Sequence, residues 1–484
     1  MIDDKRTKII CTVGPATEDD DVLRKMMLAG MNVARLNFSH GDHEYHRRNI
    51  ERVRRIATEL DKTIAIMTDT KGPEIRTRLN EGGVPIPLKM GDVVQVTTAD
   101  VRSTVGRIAL DYASLPEEVS AGDMIFIDDG LIGLEVLGVE NDIISCCVTN
   151  GGSLGERKGV NIPTVKVGLP SVTEQDKVDI RFSCEMGVDA IAASFVRDAN
   201  AVHEIRALCK EYGAPGMQII SKIESPFAVE RFDEILAASD GIMVARGDLG
   251  IEIPPADVPY TQHTIIHNCN MAYKPVITAT QMLESMTKHP RPTRAEVTDV
   301  ATAIIEGTDC VMLSGETAAG AFPVEAVQMM AEICRKAESH LSERDTYHTG
   351  ENRRNVSDIT GFLAVQAAKH SGAKALLCPT FGGRTARIMS SFRPRLPIIA
   401  TSPDEATLRR CCFYWGVSAV LATEQGDVRR VCMDALRQAT ANGLLQRGDV
   451  TVITAGDPLT SPMAQEDGVT TETPTNIMVI AEAF

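Results

Sequence analysis

The sequence predicts an α/β fold built on a closed, eight-stranded parallel (β/α)8 barrel, and three observations carry that prediction. Eight short apolar runs recur between residues 7 and 318, most of them followed by helical spacing. From about 71 to 167 this alternation gives way to short alternating strands between glycines, as in an inserted all-β module. After a polar stretch at 340–356, strands and helices alternate again to residue 484. The predicted division is a barrel (1–70 and 168–340), a β lid (71–167) and a C-terminal α/β domain (356–484).

The first strand is TKIICTV, 7–13, stopped by Gly14-Pro15, and a helix is expected over 22–29. The second strand, MNVARLNFSH, 31–40, ends in Arg35, Asn37, Ser39 and His40. Asp42 is a cap candidate for a helix reaching about residue 60. That helix contains RRNIERVRR, but Ile50, Val53 and Ile56 give it an apolar stripe, so it reads as a packed helix with a solvated face. His40, His43 and His46 drift around a helix and have no obvious carboxylate partner, which argues against a metal site there. The third strand, IAIMTDTKGPEIRT, 64–77, ends in Asp69, Thr70, Lys71, Glu74 and Arg76. The β module follows (VVQVTT, DMIFIDDG, LIGLEVLG, DIISCCV) and closes at GERKGVNIP, 155–163, with Arg157 and Lys158 on a Gly-rich loop.

Strand four is DAIAASF, 189–195. Strands five (218–223) and six (241–245) enclose a helical stretch, and each ends in charge: Lys222 and Glu224, then Arg246 and Asp248. Strand seven, 274–283, carries Thr278, Thr280 and Gln281, and strand eight, 309–318, carries Ser314 and Glu316. In a closed parallel barrel these polar residues collect at one end, and the β module enters at that same end, placed to act as a lid. A lysine beside two carboxylates is costly to bury unless it meets substrate or metal, although a structural ion pair would look the same in sequence. Two carboxylates at neighbouring strand ends suit a hard divalent cation completed by substrate oxygens.

Composition narrows the function. With 50 basic and 66 acidic side chains the net charge is -16, which argues against nucleic acid as a partner. An anionic substrate then needs a local basic cluster, and Arg35, Arg76, Lys158 and Lys222 supply one. No apolar run reaches the roughly 18 residues of a membrane span, and MIDDKRTKII lacks a signal peptide's apolar core. The 12 cysteines fall mostly in apolar runs without CxxC spacing, so a reduced, cytoplasmic protein is expected. The constellation fits a metal-bound, phosphorylated, carboxylate-bearing small substrate. No Walker A or kinase Gly-rich loop is present.

The motifs TKIICTVGPAT, MNVARLNFSHG, MTDTKGPEIRT, KGVNIP, IAASFVR, ISKIES, MVARGDLG, TATQMLESM, PTRAEVTDVA and VMLSGETA resemble the pyruvate kinase family over almost the whole chain. The resemblance implies a TIM-type barrel with a β lid, and transfer of the phosphoryl group of phosphoenolpyruvate to ADP, giving pyruvate and ATP. It implies Mg2+ (or Mn2+) on Glu224 and Asp248, and Lys222 stabilising the phosphoryl group and the enolate. Thr280 and Ser314 would serve proton delivery, and Gly247 and Asp248 would offer N–H groups to the substrate carboxylate. Arg35, Asn37, His40, Arg76 and Lys158 resemble phosphate and nucleotide contacts. Asn37, Ser39, Asp69 and Thr70 match a K+ site, and Glu74 stands where potassium-dependent members carry Glu. A homotetramer is implied as well.

The chain departs from the family pattern in places. KIES replaces KIEN at Ser225, and Arg78 stands where Gly is common. The effector loop reads Thr380-Phe-Gly-Gly-Arg384, so Gly382 lacks a phosphate-holding hydroxyl, and Asp457, Glu466 and Asp467 would repel a sugar phosphate. Fructose 1,6-bisphosphate is therefore not expected as effector; another phosphorylated effector at this domain stays compatible. Arg384 at a helix start could meet phosphate, or FGGRTA could be an ordinary turn. Two other functions share parts of the pattern: a metal-dependent barrel enzyme enolising pyruvate or oxaloacetate, which needs neither lid nor K+ set, and a catalytically silent metabolite sensor, which would have no need of Lys222, Glu224 or Asp248.

Overall fold

The computed structural model describes residues 5–163, 165–341, 355–424, 427–456, 465–466, 469–470 and 474–484. Eight parallel strands close into a barrel: Lys8–Thr12, Met31–Asn37, Ala65–Asp69, Ala190–Ala193, Gln218–Ile223, Gly241–Ala245, Val276–Ala279 and Cys310–Leu313. They pair in sequence order, and the last returns to the first with Lys8 opposite Cys310. Because helices cover the outside and side chains fill the inside, both strand faces are buried, which is why the runs read as continuously apolar. Ile10, Val33, Met67, Ile220, Met243 and Met312 pack together on one face, while Ile9, Cys11 and Leu36 face the helices.

The expected helix at 42–60 spans His43–Glu59, with Asp42 accepting the Tyr45 N–H at 2.8 Å. Its Ile50, Val53 and Ile56 are buried. The first helix starts two residues earlier than its apolar spacing suggests, at Asp20, because Asp19 caps it.

The third strand departs from expectation. It stops at Asp69, and after Lys71-Gly72-Pro73 the chain re-forms a two-residue strand, Ile75–Arg76, inside the lid sheet. Proline cannot donate to a ladder and Gly72 takes a φ of +72°, so the apolar run breaks there. Arg76 therefore belongs to the lid, not to the barrel rim. The lid is a seven-stranded sheet that includes Val93–Thr97, Met124–Ile127, Ile132–Glu140 and Ile143–Asn150. It touches the barrel end where Asn161 Nδ2 donates to Glu252 Oε1 at 2.8 Å.

The C-terminal unit is a five-stranded sheet that includes Ala375–Pro379, Ile398–Ser402, Val450–Ala455 and Ile477–Glu482, the last antiparallel. A fifth strand, Val417–Leu421, escaped the sequence reading. The short turn Cys411–Phe413 plugs the far end of the barrel, where Cys310 Sγ and Cys412 Sγ donate to Phe413 O and Thr63 O, each at 3.4 Å. Two ion pairs, the buried Arg393–Asp309 and the half-buried Arg409–Asp189, both at 2.8 Å, join the two units there. Most of the polar stretch 340–356 lies outside the described residues, as do Asp457, Asp467 and the side chain of Glu466.

Candidate active site

Lys222 is the penultimate residue of the fifth strand, and its ammonium ties three strand ends together. Its Nζ lies 2.9 Å from Glu224 Oε1, 3.2 Å from Asp69 Oδ1 and 2.8 Å from Ser194 Oγ. Asp69 Oδ2 in turn accepts Arg35 Nε at 2.7 Å, and Arg35 Nη1 donates to Thr12 Oγ1 at 3.0 Å. Burial alone would discharge the lysine, but Asp69 and Glu224 outweigh it and hold the ammonium above the ordinary lysine range. Burial would likewise raise Asp69, yet Arg35 and Lys222 pull it below the ordinary carboxylate range.

Glu224 behaves differently. It is 1 % exposed, and burial pushes its carboxyl up to about 7, with Lys222 opposing and Asp248 adding to the rise. Its Oε2 accepts the Phe195 N–H at 2.6 Å. Its Oε1 makes no hydrogen bond among the described residues, although the Lys222 ammonium is close enough to count as an ion pair. Asp248, in the first turn of the helix Arg246–Glu252, is also raised by burial, against the pull of Lys222. A buried carboxylate oxygen lacking a hydrogen bond beside a second raised carboxylate is the donor set a hard cation wants. No cluster of three or more His, Cys, Asp or Glu fit for a metal occurs among the described residues, so a cation on this pair must draw further oxygens from substrate or water.

Thr280 follows the seventh strand at a φ of +66°. Its Oγ1 accepts the Gly247 N–H at 2.8 Å and donates to Ala279 O at 2.7 Å. Gly247 thus spends its N–H on Thr280 in this state. Ser314 presents a buried Oγ with no hydrogen-bond partner among the described residues, while its N–H donates to Glu316 Oε2 at 2.7 Å.

The other predicted residues divide between rim and lid. Asn37 is the register partner of Asp69 and its Oδ1 accepts the Ser39 N–H at 3.1 Å; Thr70 follows Asp69, and its carbonyl accepts Ser194 Oγ at 2.7 Å. His40 is exposed on the same loop, and its carbonyl accepts His46 Nε2 at 2.8 Å. His43 Nε2 pairs with Asp179 at 2.7 Å, which accounts for the histidine trio structurally. On the lid, Arg76 Nη2 lies 2.6 Å from Glu74 Oε2, and Lys158 Nζ lies 2.9 Å from Asp128 Oδ1.

Two contributors went unrecognised in sequence. Ser194 sits one residue past the fourth strand, in IAASF, where a lone polar residue after an apolar run was the available signal. Arg246 was noticed as a charge but given no role; its guanidinium bonds Ala279 O, Thr280 O and Asp299.

Known proteins resemble this chain over most of its length. The family model described as the pyruvate kinase barrel domain matches residues 4–327, and that of the pyruvate kinase alpha/beta domain matches 359–480. A pyruvate kinase of Geobacillus stearothermophilus is 49 % identical over 459 residues, 94 % of this chain and 78 % of its own length. One from Sporosarcina psychrophila is 45 % identical over the same shares. The crystal structure of a pyruvate kinase from Cryptosporidium parvum superposes with a TM-score of 0.92 at 40 % identity, covering 100 % of this chain and 97 % of that one. The chain therefore belongs to the pyruvate kinase family, as a phosphotransferase that moves the phosphoryl group of phosphoenolpyruvate to ADP and yields pyruvate and ATP.

Proposed function

We propose that Lys222 is the group that stabilises the phosphoryl group in flight and the enolate it leaves behind. The observation that carries this reading is its buried ammonium, kept charged and fixed by Asp69, Ser194 and Glu224. A cation held in place before reaction needs no reorganisation when charge develops. Arg35, Arg76 and Lys158 add positive charge around the substrate phosphates, with Asn37 and His40 on the nucleotide side. Glu224 and Asp248 would hold Mg2+ (or Mn2+), which when bound bridges substrate oxygens and neutralises charge. Asn37, Ser39, Asp69 and Thr70 would hold K+. Glu74 supports dependence on K+, since a carboxylate cannot stand in for a monovalent cation.

The enolate must gain a proton at carbon. Thr280 and Ser314 stand at neighbouring strand ends, and their hydroxyls, linked through water, would deliver it. On substrate binding the Gly247 N–H would exchange Thr280 for the substrate carboxylate, joined by that of Asp248.

The surface supports assembly. The strand Ile477–Glu482 exposes Met478, Val479 and Ile480 in succession at a sheet edge with no further strand partner among the described residues, and a second copy would cover it. A homotetramer would account for it, and light scattering on the purified protein would show four chains per particle. The 12 cysteines are all thiols and mostly buried, which supports a reducing cytoplasmic setting. No helix among the described residues is long and apolar enough to cross a membrane. A phosphorylated effector would meet Arg384 at the start of the helix Arg384–Ser391, preceded by Gly383 at a φ of +90°.

The test is pyruvate formation from phosphoenolpyruvate and ADP with Mg2+, with and without K+, for wild type and Lys222→Met. Activity that needs K+ and collapses in the variant is expected. Full activity without K+ would sink the K+ site, and an active Lys222→Met enzyme would sink the role of Lys222.

A further inference from the structure

We infer that Arg246 is a positioning residue for proton transfer: it holds the turn after the seventh strand so that the Thr280 hydroxyl keeps its place beside Gly247 at the strand end. The inference rests on the proton role proposed above for Thr280. Thr280 and Gln281 follow the strand Val276–Ala279 with φ of +66° and +52°. Two successive non-glycine residues in the left-handed region, the first β-branched, need an outside restraint. The Arg246 guanidinium provides it. Nε donates to Ala279 O at 3.2 Å and Nη2 to Thr280 O at 2.7 Å, so the peptides on both sides of Thr280 are clamped by one rigid fork.

The far edge of that fork is anchored as well. Nη1 lies 2.7 Å from Asp299 Oδ1 and 3.4 Å from Gln262 Oε1, on the helices Arg294–Glu306 and Val258–Met271. The next residue, Gly247, donates its N–H to Thr280 Oγ1, so the same chain segment fixes both the backbone and the hydroxyl of Thr280. The Arg246 side chain is only 10 % exposed and acts through Thr280.

The test uses the full-length enzyme and two rates: pyruvate formation, and deuterium uptake into the methyl group of pyruvate in D2O, which reports proton transfer at carbon without phosphoryl transfer. Arg246→Lys keeps the charge but loses the fork, and both rates are expected to fall about 100-fold. Gln281 is exposed, and Gln281→Gly relieves the second left-handed residue. Added to Arg246→Lys, it is expected to restore about tenfold of each rate, a rescue that loss of a merely structural ion pair would not show. Wild-type exchange in Arg246→Lys, or no restoration by Gln281→Gly, overturns the inference. If Thr280→Ala keeps full exchange, the proton role of Thr280 fails instead, and rescue of pyruvate formation by Gln281→Gly still upholds the hold of Arg246 on the turn. Should Arg246→Lys not fold, Asp299→Asn frees the same guanidinium from its far edge. A fall of about fivefold in both rates, reversed by Gln281→Gly, is then expected, and no fall overturns the inference.

Discussion

The ends of the fifth and sixth barrel strands look alike in sequence and do different work. One reads Lys222-Ile223-Glu224, the other Arg246-Gly247-Asp248: a cation, a spacer and a carboxylate. In the first, Lys222 is still in the strand, where residues two apart share a face, and the pair meets at 2.9 Å. In the second, Arg246 already begins the helix Arg246–Glu252, where residues two apart point to different sides. Arg246 accordingly turns to the neighbouring strand's carbonyls and to Asp299, and leaves Asp248 free for the site. Spacing along the chain becomes a spatial pair only once the backbone period is known.

Breaking the strand-type pair should have the largest effect. Lys222→Met removes the fixed cation, and kcat for pyruvate formation should fall about 1,000-fold. It also leaves Asp69 and Glu224 buried without their partner, so chemical denaturation should show a loss of about 3 kcal/mol. The helix-type cation comes second, with the loss of about 100-fold expected for Arg246→Lys. Its partner Asp299 is half-exposed, and the ion pair itself should contribute less than about 1 kcal/mol.

The carboxylates sharpen the comparison through pH. Glu224 titrates near 7 in the folded protein, above its ordinary range, because burial disfavours its charge. Folding therefore favours its protonated form: the stabilisation from this group is full below the ordinary carboxylate range and is lost as pH rises through about 7. A divalent cation binds only the carboxylate. Apparent affinity for Mg2+ or Mn2+, read from thermal shifts without substrate, should fall about tenfold from about pH 8 to pH 6. An affinity indifferent to pH would remove Glu224 from the ion's ligands. The smallest effect belongs to the far end of the sixth-strand helix, where Glu252 accepts Asn161 of the lid. Asn161→Ala should raise KM for phosphoenolpyruvate about fivefold with kcat little changed; an unaltered KM would show that this bond does not seat the lid.

All eight barrel strands were legible as continuous apolar runs, since burial on both faces leaves a plain compositional trace. The break after Asp69 was not assigned, although the polar, ladder-breaking stretch Thr70-Lys71-Gly72-Pro73-Glu74 was the available signal. The strand Val417–Leu421 was missed for a different reason: only Val417 in it is fully buried, so VSAVL carries a weak pattern. Lys222, Glu224, Asp69 and Arg35 could be named as site residues from their place after apolar runs. Ser194 and Arg246 could not be given roles, because their partners lie on other strands and helices, up to 125 residues away in the case of Ser194 and Asp69.

The sequence by itself determined the fold class, the order of its elements and the kinds of groups at the barrel's open end, since those follow from local periodicity and from which residue types end each strand. Only the tertiary structure decided that one lysine is held charged by two carboxylates, that one of those carboxylates keeps a buried oxygen without a hydrogen bond among the described residues, and that an arginine clamps a strained threonine. Charge state, strain and partnership depend on burial and on distances between segments far apart in the chain. Those distances exist only after the barrel has closed.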